Sequence, residues 1–172
     1  MKVIFLDVDS ELTYNGYTNK ETENIDLTKV SLVKEICDRT GAKIVVSSSW
    51  RECNGIYKFL VNLLAENEIE VIGKTDYIPT ETINDTPESV TFDELADMEY
   101  NIKHGTGRAA EIQKWLEENE IENFIILDDE DWVWTDYGYE EYWIQPSWFD
   151  GGLQREHVEK AVEILMRNAK NE

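Results

Sequence analysis

The 172-residue sequence predicts one α/β domain built around a parallel β-sheet. Two observations predict it. Short, wholly apolar runs rich in valine and isoleucine alternate with segments whose apolar residues recur at helical spacing, as expected for buried strands joined by crossover helices. Hydrophobic residues make up 41% of the chain and aromatic residues 11%, a composition that supports a packed core and argues against intrinsic disorder. The expected unit is a single domain over residues 1–172.

The first strand is expected over residues 3–6 and runs directly into Asp7. Val30, Leu32, Val33, Ile36 and Cys37 then repeat on one helical face, and Gly41 stands where a left-handed C-terminal cap belongs. Ile44, Val45 and Val46 make a second buried strand. Ile56, Phe59, Leu60, Leu63 and Leu64 mark a second helix, and residues 69–72 a third strand. Residues 74–107 break the alternation: the stretch is polar, contains Pro79 and Pro87, and has a short helical candidate only near 92–98. It is too long for an ordinary connection and reads as an insertion over the sheet. Order returns with a helix over 108–119, its Ala109, Ile112, Trp115 and Leu116 inward, and a strand over 124–127. An aromatic segment, 132–149, leads to a last helix with Val158, Ala161, Val162, Leu165 and Met166 on its inner face.

The formal net charge is −21, which argues against a broad basic surface for gripping a long nucleic-acid duplex. A phosphorylated substrate stays compatible, because a divalent cation and a few local cations can reverse the field inside one pocket. No run approaches the roughly 20 apolar residues that span a bilayer, so no membrane partner is expected. The N-terminal apolar run is too short for a secretory signal, and Cys37 and Cys53 lack CxxC spacing. A cytoplasmic protein with two reduced, buried thiols is the expectation.

Three strands end in polar tips: Asp7-Val8-Asp9, Ser47-Ser48-Ser49 and Asp128-Asp129. In a parallel sheet these tips share one edge, where open α/β folds bind ligands. Carboxylates converging there would repel one another unless a divalent cation sat among them, and oxygen-only ligands suit Mg²⁺. Each signal is weak alone, since a DxD is commonly a surface turn and serines commonly cap helices. Ser49 with Glu52 fits a capping box, which would leave Ser48 free at the strand tip beside a helix N-terminus.

In this order the motifs resemble the haloacid dehalogenase (HAD) superfamily of phosphatases, and most closely its compact members linked to nucleic-acid repair. The matching pieces are Phe5-Leu6-Asp7-Val8-Asp9, Val45-Val46-Ser47-Ser48-Ser49-Trp50-Arg51, the helix opening at Gly107-Arg108, and Ile126-Leu127-Asp128-Asp129. The resemblance spans residues 3 to about 165 and implies a three-layer Rossmann-like sheet, with a small insertion rather than a full cap domain. It further implies Asp7 as nucleophile, Asp9 as general acid and base, and Ser48 as a hydrogen-bond donor to a phosphoryl oxygen. Asp7, Asp9 through the Val8–Asp9 backbone, and Asp128 or Asp129 would hold Mg²⁺. Arg108 or Lys103 would supply the basic group, while Ser49, Arg51 and Lys103 would contact substrate.

Two residues depart from the superfamily pattern. Ser10 stands where glycine is usual, and Glu11 replaces threonine or valine, adding a charge beside the phosphate path. The alternative reading is therefore a HAD-like binding protein without turnover. The aromatic residues of 132–149 read either as core or as a stacking platform for a nucleobase. Together these point to a small nucleotide or a phosphorylated nucleic-acid end as substrate. Gly73-Lys74-Thr75 is no P-loop, because Glu68 stands where the motif needs its first glycine. His157 reads as structural, and His104 as a loop residue.

Overall fold

The computed structural model describes residues 1–78 and 107–167. Five parallel strands form one sheet: β1 (Lys2–Leu6), β2 (Lys43–Val46), β3 (Val71–Lys74), β4 (Asn123–Leu127) and β5 (Trp143–Ile144). Their order is β3-β2-β1-β4-β5. The chain steps outward from β1 to β3, then returns to the far side of β1 for β4 and β5. Its winding therefore reverses at the C-terminal end of β1, the place where open α/β sheets open a crevice.

β1 reads as an unbroken apolar run because both of its faces are covered. Ile4 and Leu6 lie in one core with Val33 and Ile36 of helix α1 (Leu27–Thr40), Leu60 and Leu64 of α2 (Asn54–Glu66), and Val158 and Ala161 of α4 (Arg155–Met166). Val3 and Phe5 point the other way, into a second core with Ala109 and Ile112 of α3 (Arg108–Glu118). This is the three-layer α/β/α arrangement.

Most of the aromatic segment belongs to that second core. Trp134 is buried, Phe5 meets Trp115 and Phe124 edge-on at 5.4 and 5.9 Å, and Phe124 stacks on Tyr142 at 4.6 Å. The exposed pair is Trp148 and Phe149, the latter 82% accessible.

Local chemistry sets the helix ends. The Asp26 side chain accepts the Thr28 N–H at 2.8 Å to open α1, and Gly41 at φ 73° closes it with its N–H on the Cys37 carbonyl. The Gln154 N–H donates to Nδ1 of His157 at 3.0 Å at the start of α4, a structural task for that histidine.

Several expectations shift. The third strand runs over Val71–Lys74, displaced toward the C-terminus, because a register irregularity between Ile44 and Val45 carries the pairing on to Gly73 and Lys74. Gly73 and Lys74 are thus strand residues. β5 was not expected, since two residues carry no periodic signal. Met166 is exposed at the last position of α4, and Ile164 is buried instead. Cys53 is exposed just before α2 rather than buried, while Cys37 is half-buried; both thiols are free. The insertion expected over 74–107, with its helix near 92–98, falls largely outside the described residues, as do Lys103 and His104. Among the described residues no helix is long and apolar enough to cross a membrane.

Candidate active site

Backbone pairing continues one residue past the strands and sets the site's first row. The Asp7 N–H donates to the Leu127 carbonyl at 2.9 Å, Ser47 N–H to Leu6 at 2.9 Å, and Asp128 N–H to Ile144 at 3.3 Å. Asp7, Ser47 and Asp128 are therefore held level at the end of the sheet where the winding reverses.

After Asp7 the chain folds back tightly. The Leu12 and Thr13 N–H groups both donate to the Val8 carbonyl, at 2.9 and 3.2 Å. Ser10 takes φ 76°, a left-handed conformation that costs a residue with a Cβ. Its hydroxyl offsets this by donating to Oδ2 of Asp129 at 2.8 Å. The Asp9 carboxylate accepts the Thr13 hydroxyl at 2.9 Å and the Trp50 indole N–H at 3.1 Å. Gly152 clamps the turn from outside. At φ 69° it passes so close that a Cβ there would stand 3.0 Å from the Glu11 carbonyl oxygen and 3.2 Å from that of Ser10.

Behind this turn lies the serine segment. Ser48 is fully buried, caps the short 3-10 turn Ser49–Arg51 by accepting the Trp50 N–H at 3.3 Å, and hydrogen-bonds the Asp7 carboxylate. The expected Ser49–Glu52 capping box does not form, because the turn begins one residue early. Arg51 is also placed differently from the expectation. Its guanidinium is 3% exposed and spends its donors on the Ser48 carbonyl (2.6 Å), the Thr75 carbonyl (3.1 Å) and the Glu111 carboxylate (2.6 Å). It braces the serine segment and presents no surface to a substrate.

Arg108 opens α3 behind Gly107 and reaches the sheet end. Its Nη1 lies 3.5 Å from Asp7 and 3.2 Å from Asp128, it donates to the Ser47 carbonyl, and the guanidinium lies over the Trp132 ring at 5.3 Å. Asp128 is buried and also accepts the Glu130 N–H at 3.0 Å and the Trp132 indole N–H at 3.2 Å. Burial and the Asp7 charge push its carboxyl up to about 7 against the pull of Arg108. Asp7 is raised too, by burial first, with Arg108 opposing.

The carboxylates that converge are Asp7, Glu11 and Asp129, each offering an oxygen within 4.8 Å of the others. Glu11 is fully buried, and neither of its carboxyl oxygens has a hydrogen-bond partner among the described residues. Burial and the surrounding aspartates raise it well above the ordinary value. An oxygen-only set with an orphaned buried carboxylate fits a hard divalent cation such as Mg²⁺.

The family model for the HAD domain in Swiss Army Knife RNA repair proteins matches residues 3–158. The chain belongs to this family. No curated protein and no solved structure matches it.

The HAD fold thus brings Asp7, Asp9, Ser48, Arg108, Asp128 and Asp129 to one sheet end. Within this group the Asp9 carboxylate faces Thr13 and Trp50, and Asp128 is engaged by Arg108 and Trp132, while Asp129 lies with Asp7. Ser49 and Arg51 do not join the cluster. Sequence reasoning placed Glu11 beside the phosphate path but not with Asp7 and Asp129 as a cation ligand, and it missed Thr13, Trp50, Glu111 and Trp132. For Glu11 a signal existed: it departs from the superfamily pattern two residues after Asp9.

Proposed function

We propose that the protein is a Mg²⁺-dependent phosphohydrolase acting through a phosphoaspartate on Asp7. The observation that carries the reading is the Asp7 carboxylate itself, level with Ser47 and Asp128 at the winding reversal and flanked by Arg108, Ser48 and Asp9. An Asp7 oxygen attacks phosphorus and the bond to the leaving oxygen breaks, with the Asp9 carboxyl giving that oxygen its proton. Asp9 then takes a proton from water as the water attacks the same phosphorus, which frees inorganic phosphate and restores Asp7. Arg108 and the Ser48 hydroxyl orient the phosphoryl oxygens, and Trp50 and Thr13 hold the Asp9 carboxylate in place. Asp7 and Asp129, with Asp128 behind them, would hold Mg²⁺, which supplies positive charge for the phosphoryl oxygens.

A nucleotide or a phosphorylated nucleic-acid end is the substrate class we favour over a long duplex. The family carries RNA repair in its description. Trp148 and Phe149 are exposed on the loop that clamps the Ser10–Glu11 turn, where a base can stack. The net charge of −21 disfavours a long phosphate backbone.

Hydrolysis of an aryl phosphate with and without Mg²⁺, for the wild type and Asp7→Asn, tests the reaction. Activity should need the cation, and Asp7→Asn should lower kcat by at least about 10³-fold, in line with losing the nucleophile. Turnover that survives Asp7→Asn refutes it. No turnover with any divalent metal selects the non-catalytic alternative. A panel of nucleotides and of 3′- and 5′-phosphorylated oligonucleotides then ranks substrates.

A further inference from the structure

The structure assigns Glu11 to the cation site as a third carboxylate ligand beside Asp7 and Asp129. The assignment deepens the site proposed above and rests on it only for the presence of a divalent cation. Three observations carry it. The Glu11 side chain is fully buried at 0% exposure. Among the described residues both of its carboxyl oxygens lack a hydrogen-bond partner, although buried carboxylates are ordinarily paired. One of those oxygens lies within 4.8 Å of oxygens from Asp7 and Asp129, both half-buried.

Two ways exist to relieve such a carboxylate: neutralisation by a proton or by a cation. A proton would neutralise Glu11 alone and leave Asp7 and Asp129 facing each other across the same space. A cation satisfies all three carboxylates together. Oxygen ligands around Mg²⁺ or Ca²⁺ stand about 2.0–2.6 Å from the ion, so three oxygens mutually within 4.8 Å can share one. Arg108, the cation that touches this row among the described residues, faces Asp7 and Asp128 rather than Glu11.

The backbone holds the side chain in this position. The Glu11 carbonyl accepts the Leu153 N–H at 3.1 Å and packs under Gly152, while the neighbouring Ser10 hydroxyl fixes Asp129 at 2.8 Å. Residues 10 and 11, the two that depart from the superfamily pattern, therefore both serve the Asp129 side of the site. A third anionic ligand makes the cation a resident of the free protein rather than an arrival with substrate.

Cation binding without substrate tests this. Calorimetric titration of the metal-stripped protein with Mg²⁺ and Mn²⁺, and melting temperature with and without each ion, are measured for wild type, Glu11→Gln and Glu11→Val. The wild type should bind one ion and be stabilised by it. Both variants should bind at least about tenfold more weakly, lose most of the ion-dependent rise in melting temperature, and melt higher than the wild type when metal-free. A wild type with no ion-dependent stabilisation, or variants with wild-type affinity, overturn the assignment. Because hydrolysis is not read, an inactive protein whose Glu11→Gln variant still loses the ion separates failure of the phosphohydrolase reading from failure of this one.

Discussion

Replacing Arg51 by methionine separates a bracing role from a substrate-gripping one. Arg51 and Glu111 are each 3% exposed and meet at 2.6 Å, and the guanidinium also satisfies the Ser48 and Thr75 carbonyls. Removing it leaves Glu111 buried with the Ile78 N–H at 3.1 Å and a distant Arg108 Nε at 3.8 Å. Breaking a buried pair from one side costs about 3–5 kcal/mol. In a domain of this size that lowers the melting temperature by roughly 6–20 °C. The double variant Arg51→Met with Glu111→Leu removes the stranded charge and should recover most of the loss, since an apolar pair of similar volume is often as stable. Urea unfolding of the wild type, both single variants and the double variant gives the coupling directly. Arg51→Met should also lower kcat more than it raises KM, because the Ser48 carbonyl it anchors adjoins the hydroxyl that bonds Asp7. A variant that unfolds like the wild type and shows only a raised KM would refute the bracing role and restore Arg51 to the substrate.

Two further outcomes follow from the turn and the first helix. Gly152→Ala forces a Cβ to 3.0 Å from the Glu11 carbonyl at φ 69°, so it should cost about 2 kcal/mol or more in urea unfolding and depress hydrolysis by shifting the turn that carries Asp9. Asp26→Ala removes the α1 cap and the acceptor of the Tyr14 hydroxyl at 2.6 Å, an expected loss of about 1–3 kcal/mol. Burial alone would raise the Asp26 carboxyl, but hydrogen bonds from Tyr14 and Thr28 outweigh it and hold it below its ordinary value. A depressed carboxyl contributes stability that is fully present above its unfolded value near pH 4 and is lost as pH falls through the folded one. The gap between wild type and Asp26→Ala should thus be constant above about pH 5 and shrink below pH 4; a gap that persists in acid contradicts the role.

Much of the fold was legible because strands covered on both faces leave a local trace. Residues 3–6, 44–46 and 124–127 are wholly apolar, so the polar residues that end them stand out, and the register delivers Asp7, Ser47 and Asp128 to one row. The C-terminal cap of α1 was readable for the same reason: Gly41 acts on its own helix. Choosing Ser48 over Ser49 as the cap was not readable, since it depends on where a three-residue turn begins.

By itself, the sequence determined the α/β order, the polar strand tips and the central place of Asp7, all of which depend on residues close in the chain. Tertiary structure alone decided what the charges do. It buries Arg51 against Glu111, sixty residues away, withdraws Asp128 to Arg108 and Trp132, and turns Glu11 inward without a partner. A charged side chain carries no local mark of burial. Its fate depends on which distant oxygen or nitrogen the fold brings within reach, and at Glu11 the fold brings the carboxylates of Asp7 and Asp129.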